Sequence, residues 1–196
     1  MKKTILLLIL ALVSTGVMAQ HNEFRVGYGV ASSNRLLNTE HGVFGVKWKD
    51  QVNSVKSLKV NASSGAIAFG YRYQISRIRV GLAGAYEKIN CEYNVNNTVG
   101  DGNYKYWTVA ADMQFSYLKL PKGVVELYWG ASAGLGFVTQ SIDASLVDDS
   151  GNGKRSRFAY QVVPIGVSAG IPWIGAYAEL GFGYRGILNV GAYIRF

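Results

Sequence analysis

ILNVGAYIRF, residues 187–196, is the stretch that decides the fold. Side chains alternate between the two faces of an extended strand, so the stretch has two distinct faces. One face carries Leu188, Val190, Ala192, Ile194 and Phe196. The other carries Ile187, Asn189, Gly191, Tyr193 and Arg195. An apolar face, a mostly polar or small face and a terminal aromatic suit a barrel wall with lipid outside and packed polar groups inside.

The same two-residue period recurs along the chain, and it predicts eight strands. These are Phe24–Ala31, Gly65–Ile75, Ile78–Asn90, Tyr104–Leu118, Val124–Thr139, Phe158–Gly170, Gly175–Tyr184 and Ile187–Phe196. Connections after the second, fourth and sixth segments are short, whereas those after the first, third and fifth are long. The pattern predicts an all-β fold, an eight-stranded antiparallel up-and-down transmembrane β-barrel with long outer loops and both termini in the periplasm.

Individual side chains are assigned by the same alternation. In the sixth segment the predicted lipid-facing residues are Val163, Ile165, Val167 and Ala169, opposite Pro164, Gly166, Ser168 and Gly170. Aromatic rings prefer membrane interfaces, and two belts are predicted. The periplasmic belt comprises Phe24, Tyr73, Tyr117, Trp173 and Phe196, and the outer belt Tyr86, Trp107, Phe137 and Tyr184. Within the long first loop, the spacing of Val52, Val55 and Leu58 predicts a short helix.

The N-terminal residues have the layout of a secretory signal peptide. Lys2 and Lys3 precede the apolar run 5–13, and small residues lead to Ala19. The run is too short for a membrane-spanning helix, which needs about 20 residues. We therefore predict a cleaved signal peptide at residues 1–19 and one barrel domain at residues 20–196, located in the outer membrane.

Charge and cysteine content narrow the partners. The formal net charge is +8, and losing Lys2 and Lys3 with the signal peptide would lower it by two. An exported chain does not ordinarily meet nucleic acid, so we expect this surplus to face anionic lipid headgroups or surface polysaccharide. The single cysteine, Cys91, cannot form an internal disulfide and is expected to be a small residue near an outer strand end.

A soluble β-barrel with its large residues pointing inward is the main structural alternative. It would place the other face of each strand in water. That face is dominated by Gly, Ala and Ser, which suit a crowded interior better than a hydrated surface. The terminal aromatic and the closely spaced turns also favour the membrane form.

Ionisable residues on the non-apolar face would point into the membrane barrel. These are Arg25, Arg72, Arg79, Glu87, Asp112, Glu126, Glu179 and Arg195. Isolated charges in a narrow interior are costly, so we expect them to pair. An eight-stranded barrel leaves room for little more than side chains. The set therefore predicts a salt-bridge network that plugs the lumen, although the same residues could form a gate or selective conduit.

The segment 178–186, AELGFGYRG, together with the C-terminal strand, carries a family resemblance. The chain resembles the small eight-stranded outer-membrane barrels that include OmpX, OmpW and the OmpA membrane domain, and barrels of this size in Bacteroidetes. The last residues resemble the assembly signal of such barrels, with Tyr193, Ile194 and Phe196 as its positions. The resemblance implies a monomer whose C-terminal strand engages the barrel assembly machinery, and it leaves the activity open.

Enzymatic and metal-binding interpretations find little support in the sequence. Neither His21 nor His41 lies at a strand end beside a nucleophile and a carboxylate, as general-base catalysis requires. The run 148–153, DDSGNG, resembles the start of a calcium loop but has no Glu at the twelfth position. We expect no catalytic residue, cofactor or metal.

Three functional hypotheses remain open. The first is a structural or surface-interaction barrel that meets its surroundings through external loops, with an unidentified surface ligand. The second is a narrow conduit or binder for small hydrophobic solutes, which needs an apolar funnel beneath the loops. The third is a lipid-modifying enzyme, which would require His41 beside an acid at the outer rim.

Overall fold

A computed structural model describes residues 21–37, 55–95, 98–120, 124–142 and 152–196. The strands are β1 (Asn22–Val30), β2 (Val55–Ser63), β3 (Ala66–Ile75), β4 (Ile78–Val95), β5 (Thr98–Lys119), β6 (Val125–Ile142), β7 (Asn152–Ile171), β8 (Ile174–Gly183) and β9 (Leu188–Arg195). One short helix, α1 (Ser33–Leu37), follows β1. No helix in the described ranges is long and apolar enough to span a membrane.

The strands form a closed antiparallel ring. β1 pairs with β3 on one side and with β9 on the other, which joins the first and last strands of the chain. Phe196 and Asn22 exchange backbone hydrogen bonds of 3.0 Å where the ring closes. β2 and β3 both pair with β4, one beyond the other, and are separated by Ser64 and Gly65. β2 and β3 thus occupy the same place beside β4, one above the other, and count as one strand of the ring. The nine strands therefore form an eight-stranded ring, and the predicted eight-stranded barrel is confirmed.

The two ends of the barrel differ. The first and last described residues, His21 and Phe196, the turns 76–77 and 172–173, and the facing ends of β5 and β6 lie at one end, which we call the terminal end. The other end, which we call the loop end, carries α1 and the extensions of β2, β4, β5, β6 and β7. At the loop end, long strands extend beyond the ring and form a wall around it. At the terminal end, two-residue turns join β3 to β4 and β7 to β8.

Large apolar side chains cover the outside of the ring. Phe158 is 68% exposed and Leu82 62% exposed, whereas Asp112 and Glu87 on the inner face are at most 4% exposed. Inward positions are mainly small or polar, as an eight-stranded ring requires. An apolar exterior around a polar interior is the architecture of small outer-membrane β-barrels.

The lipid-facing assignment of Val163 is wrong, because β7 contains a bulge. Val163 is buried at 1% exposure, whereas Val162, Pro164 and Ile165 point outward. Proline has no backbone N–H to donate, so the ladder opens there and Pro164 and Ile165 face the same side. The pairing of β7 with both neighbours shifts register at this point. The alternation therefore holds on each side of the bulge but changes phase across it.

Three further expectations are corrected at the loop end. The alternation predicts Tyr184 in the outer aromatic belt, but Tyr184 is buried at 1% exposure, because Gly183 adopts φ +144° and turns the chain inward. Ile187, assigned to the inner face, is instead exposed. The helix predicted around Val52, Val55 and Leu58 is also wrong where it can be checked, since Val55 and Leu58 belong to β2. Val52 lies outside the described residues.

Candidate functional site: the charged interior

Glu23 on β1 is the centre of a buried ion network in the terminal half of the barrel. Its Oε1 lies 2.5 Å from Arg25 Nε, and its Oε2 lies 2.8 Å from Arg195 Nε. Arg79 and Arg72 approach the same carboxylate at 3.5 and 3.8 Å. β1 pairs with β3 and β9, which places these side chains on the same inner face. One carboxylate thus links four strands across the lumen.

A second arm runs through Asp112 and Glu179 towards the middle of the barrel. Asp112 Oδ2 lies 2.5 Å from Arg72 Nε, and its Oδ1 lies 3.2 Å from Arg185 Nη2. Glu179 Oε1 accepts a hydrogen bond of 2.9 Å from Arg25 Nη1, and its Oε2 lies 3.6 Å from Arg185 Nη1. Arg72 Nη2 also lies 3.9 Å from Glu179 Oε1. Asp112 therefore pairs with two arginines and Glu179 with three, which ties β1, β3, β5 and β8 together.

A third arm reaches the terminal rim through Glu126. Arg79 Nη2 donates to Glu126 Oε2 at 2.7 Å, and Arg195 Nη2 lies 3.3 Å from the same oxygen. Ser116 also donates to this carboxylate, and Lys119 Nζ lies 3.5 Å from it. Lys119 is partly exposed, so the network meets solvent at this point.

Arginines outnumber carboxylates in this network by five to four: Arg25, Arg72, Arg79, Arg185 and Arg195 against Glu23, Asp112, Glu126 and Glu179. Buried charges each carry a desolvation cost of several kcal/mol, which only close pairing offsets. Tyrosine rings supply part of the remaining stabilisation. The Arg25 guanidinium lies 4.5 Å from the Tyr177 ring centre, and that of Arg195 lies 4.2 Å from the Tyr193 ring centre.

The loop half of the interior is filled differently. Tyr184 packs against Ala85, Ala110 and Ala159, which belong to β4, β5 and β7. Its hydroxyl lies 3.3 Å from Ser132 Oγ. Small residues on three strands leave the space that one tyrosine from the β8–β9 turn occupies. The turn therefore inserts two side chains into the lumen, Tyr184 as an apolar filler and Arg185 as an ion-pair partner.

Glu87 lies apart from the main network, near the loop end. It accepts hydrogen bonds from Ser32 Oγ at 2.5 Å, Asn34 Nδ2 at 3.0 Å and Ser63 Oγ at 2.7 Å. Arg157 donates to Asn34 but has no direct ion pair with Glu87 among the described contacts. Ser32 and Asn34 begin the first loop and Ser63 ends it, so one carboxylate fixes both ends of that loop.

The predicted network residues are thus distributed between two clusters. Seven of the eight belong to the main network, and Glu87 belongs to the loop-end cluster. Sequence reasoning missed two members, Glu23 and Arg185. Glu23 is in phase with Arg25 and would have been found by starting the first strand one residue earlier. Arg185 gives no periodic signal, because its inward direction depends on the turn after Gly183.

The C-terminal residues divide between the faces. Tyr193 is buried in the lumen, Ile194 is exposed on the outside, and Phe196 is half-buried at the ring closure. Their role as an assembly signal remains a prediction.

The remaining sequence candidates do not form a reactive site within the described residues. His21 is exposed, with its ring centre 5.7 Å from that of Tyr73. Cys91 lies on β4 beyond the apolar band, towards the loop end, and burial raises the pKa of its thiol to about 11. His41 and residues 148–151 lie outside the described ranges. No group of three potential metal ligands occurs in the parts of the chain that the structure describes.

No protein-family model matches the sequence, and no curated protein sequence matches it significantly. Among solved structures, the N-terminal β-barrel domain of Pseudomonas aeruginosa OprF is similar at 12% identity and a TM-score of 0.44, covering 90% of this chain and 98% of that one. Yersinia pestis Ail is similar at 14% identity and a TM-score of 0.38, covering 89% and 93%. Its complex with a heparin analogue gives 15% identity and a TM-score of 0.39, covering 89% and 96%.

Proposed function

We propose that this chain is an integral outer-membrane barrel with a side-chain-filled lumen, acting as a structural or surface-interaction protein through its external loops. The observation that carries the proposal is the exposed apolar band around a buried ion network. The terminal end would face the periplasm and the loop end the exterior. Signal-peptide cleavage after Ala19 is part of the same proposal.

The height of the apolar band fits a membrane. On β5 the outward side chains from Tyr117 to Trp107 are apolar, and the next outward side chain towards the loop end is Lys105. Ten residue steps of about 3.4 Å, tilted by about 40°, span about 26 Å along the barrel axis. Outer-membrane barrels carry an apolar band about 25 Å tall. A soluble barrel would need the opposite arrangement, with Asp112 outside and Leu82 inside.

The ion network supports a closed lumen rather than an apolar conduit. A small hydrophobic solute crossing the terminal half would have to pass Glu23, Arg25 and Arg79, which are at most 3% exposed. Moving these groups apart would leave buried charges unpaired, which is costly. Tyr184 fills the loop half of the same path. We therefore place the external activity at the loops.

Three measurements on the mature chain test this proposal. Electrophoretic mobility in detergent, unheated and boiled, should shift on heating in protein from an outer-membrane fraction, because a closed ring leaves no unpaired edge. Planar-bilayer recording should show no large, steady conductance. A soluble periplasmic protein without a heat-dependent shift would contradict the membrane assignment, and a steady large conductance would contradict the filled lumen. Uptake of a small apolar solute by reconstituted liposomes would favour the conduit instead.

A further inference from the structure

A row of basic side chains crosses four neighbouring strands on the outside of the barrel, at the loop end. Lys88 on β4 is directly opposite Lys105 on β5, and Lys105 is opposite Thr139 on β6. Thr139 is in turn opposite Lys154 on β7. The three lysines are exposed. We call Lys88, Lys105, Thr139 and Lys154 the lysine row.

The rows on either side of the lysine row fix its position relative to the apolar band. One step towards the band, Tyr86 is opposite Trp107, and Trp107 is opposite Phe137. The Tyr86 and Trp107 ring centres are 4.7 Å apart. One step away from the band, Asn90, Asn103 and Ser141 follow one another across β4, β5 and β6. The outside therefore changes from aromatic to cationic to neutral polar within two steps of about 7 Å each.

Among the residues that the structure describes, no acidic side chain compensates the lysine row. Like charges directly opposite one another on a sheet are destabilising. No salt bridge to Lys88, Lys105 or Lys154 occurs among the described residues, whose ion pairs involve the interior groups and Lys119. Glu87 is adjacent to Lys88 but points into the lumen. The row therefore presents three positive charges to whatever lies beside the barrel.

We propose that the lysine row binds the phosphate groups of an anionic lipid in the outer leaflet, an inference that rests on the proposed membrane location. Tyr and Trp rings lie at the headgroup boundary of a bilayer. Lysines one step beyond Tyr86 and Trp107 are then at the level of the headgroup phosphates. Lysine is a strong phosphate binder, and the amide and hydroxyl groups of the next row can hydrogen-bond the sugar or glycerol part of the headgroup.

The test compares the wild type with a Lys88→Gln/Lys105→Gln/Lys154→Gln variant, each purified as the folded mature chain in neutral detergent. Native mass spectrometry measures binding of diphosphorylated lipid A and of the same lipid without its phosphates. At about fivefold in affinity per basic residue, the triple variant should bind the phosphorylated lipid about 100-fold more weakly. Binding of the dephosphorylated lipid should be unchanged.

Three further variants complete the experiment. Lys105→Gln should weaken binding about fivefold, whereas Arg77→Gln, which removes an exposed charge from the terminal-end turn, should have no effect. Thr139→Lys fills the gap in the row and should strengthen binding. Equal binding of the phosphorylated lipid by wild type and triple variant, with both showing a heat-dependent gel shift, would overturn the lysine row as a lipid site and leave the membrane barrel standing. Loss of that shift in the wild type would overturn both.

Discussion

Arg185 in the β8–β9 turn and Asp112 on β5 are joined across the lumen at 3.2 Å, although 73 residues separate them in the chain. Asp112 is also paired with Arg72, so the contact connects a turn to two walls of the barrel. The turn is therefore part of the interior, and its two buried side chains contribute to stability as core residues do.

Arg185→Met should destabilise the barrel. The substitution leaves Asp112 and Glu179 each with one arginine fewer, although Asp112 keeps Arg72 and Glu179 keeps Arg25. We therefore expect a loss of about 1–3 kcal/mol, the cost of removing buried hydrogen bonds to charged groups. Equilibrium urea unfolding in micelles, followed by tryptophan fluorescence, measures the loss. Arg77→Met removes an exposed arginine and is the control, expected to change stability by less than about 0.5 kcal/mol. Equal stability of the two variants would show that the turn does not support the network.

Tyr184→Ala should leave a cavity in the loop half of the lumen. The surrounding residues Ala85, Ala110 and Ala159 are too small to fill it, so we expect a loss of about 3–5 kcal/mol in the free energy of unfolding. Tyr184→Phe keeps the ring and removes only the contact with Ser132, at a cost of about 1 kcal/mol. Urea midpoints of the two variants measure the difference. A loss as large for Phe as for Ala would assign the stabilisation to the hydroxyl instead.

Cys91 should resist alkylation in the folded barrel. Cys91 is 2% exposed, and burial raises the pKa of its thiol to about 11, so at pH 8 about one thiol in a thousand is the reactive thiolate. Mass spectrometry after iodoacetamide treatment at pH 8 should show the folded chain unmodified while the urea-unfolded chain is fully labelled. Raising the pH towards 11 should accelerate labelling of the folded form. Rapid labelling at pH 8 would mean that β4 opens beyond Lys88.

Deleting Phe196 should reduce assembly in cells more than folding in vitro. The side chain of Phe196 is only half-buried at the ring closure. Apart from the contacts of this side chain, the deletion removes two backbone hydrogen bonds with Asn22. If Phe196 is part of an assembly signal, the amount in the outer-membrane fraction should fall several-fold. Refolding of the purified chain into detergent micelles should change little. Phe24→Ala removes an exposed aromatic near the same end and is the control, and equal outer-membrane amounts in both variants would contradict the signal.

The sequence predicts most of the fold because the two-residue period is strong where strands are regular. The lumen-facing positions of Arg25, Arg72 and Asp112 all follow from alternation alone. The errors occur where the backbone departs from the pleat. The bulge at Pro164 reverses the face of Val163, and the positive φ of Gly183 turns Tyr184 inward. A bulge adds one residue to the strand, so the side chains beyond it point to the face opposite to the one that regular alternation predicts. The alternation pattern does not reveal where this change occurs.

Pairing partners within the interior are beyond sequence reasoning for a different reason. The alternation predicts only that Glu87 and Arg25 both point into the lumen. In the structure Glu87 lies near the loop end and accepts hydrogen bonds from neutral donors. The carboxylate that pairs with a given arginine is determined by the register between neighbouring strands and by the position of each strand around the barrel. These quantities are set by all the strands together, so no single segment contains them.

The attachment of Ser32 and Ser63 to Glu87 makes the first loop separable from the barrel. α1 ends at Leu37 and β2 begins at Val55. The hydrogen bonds of Ser32 and Ser63 to Glu87 hold the two ends of the first loop together inside the barrel wall. Doubling the length of a flexible loop costs only about 0.6 kcal/mol in closure entropy. With the loop end facing the exterior, as proposed, a foreign peptide spliced between Leu37 and Val55 should reach the cell surface at little cost to folding, and the barrel would then serve as a scaffold for surface display.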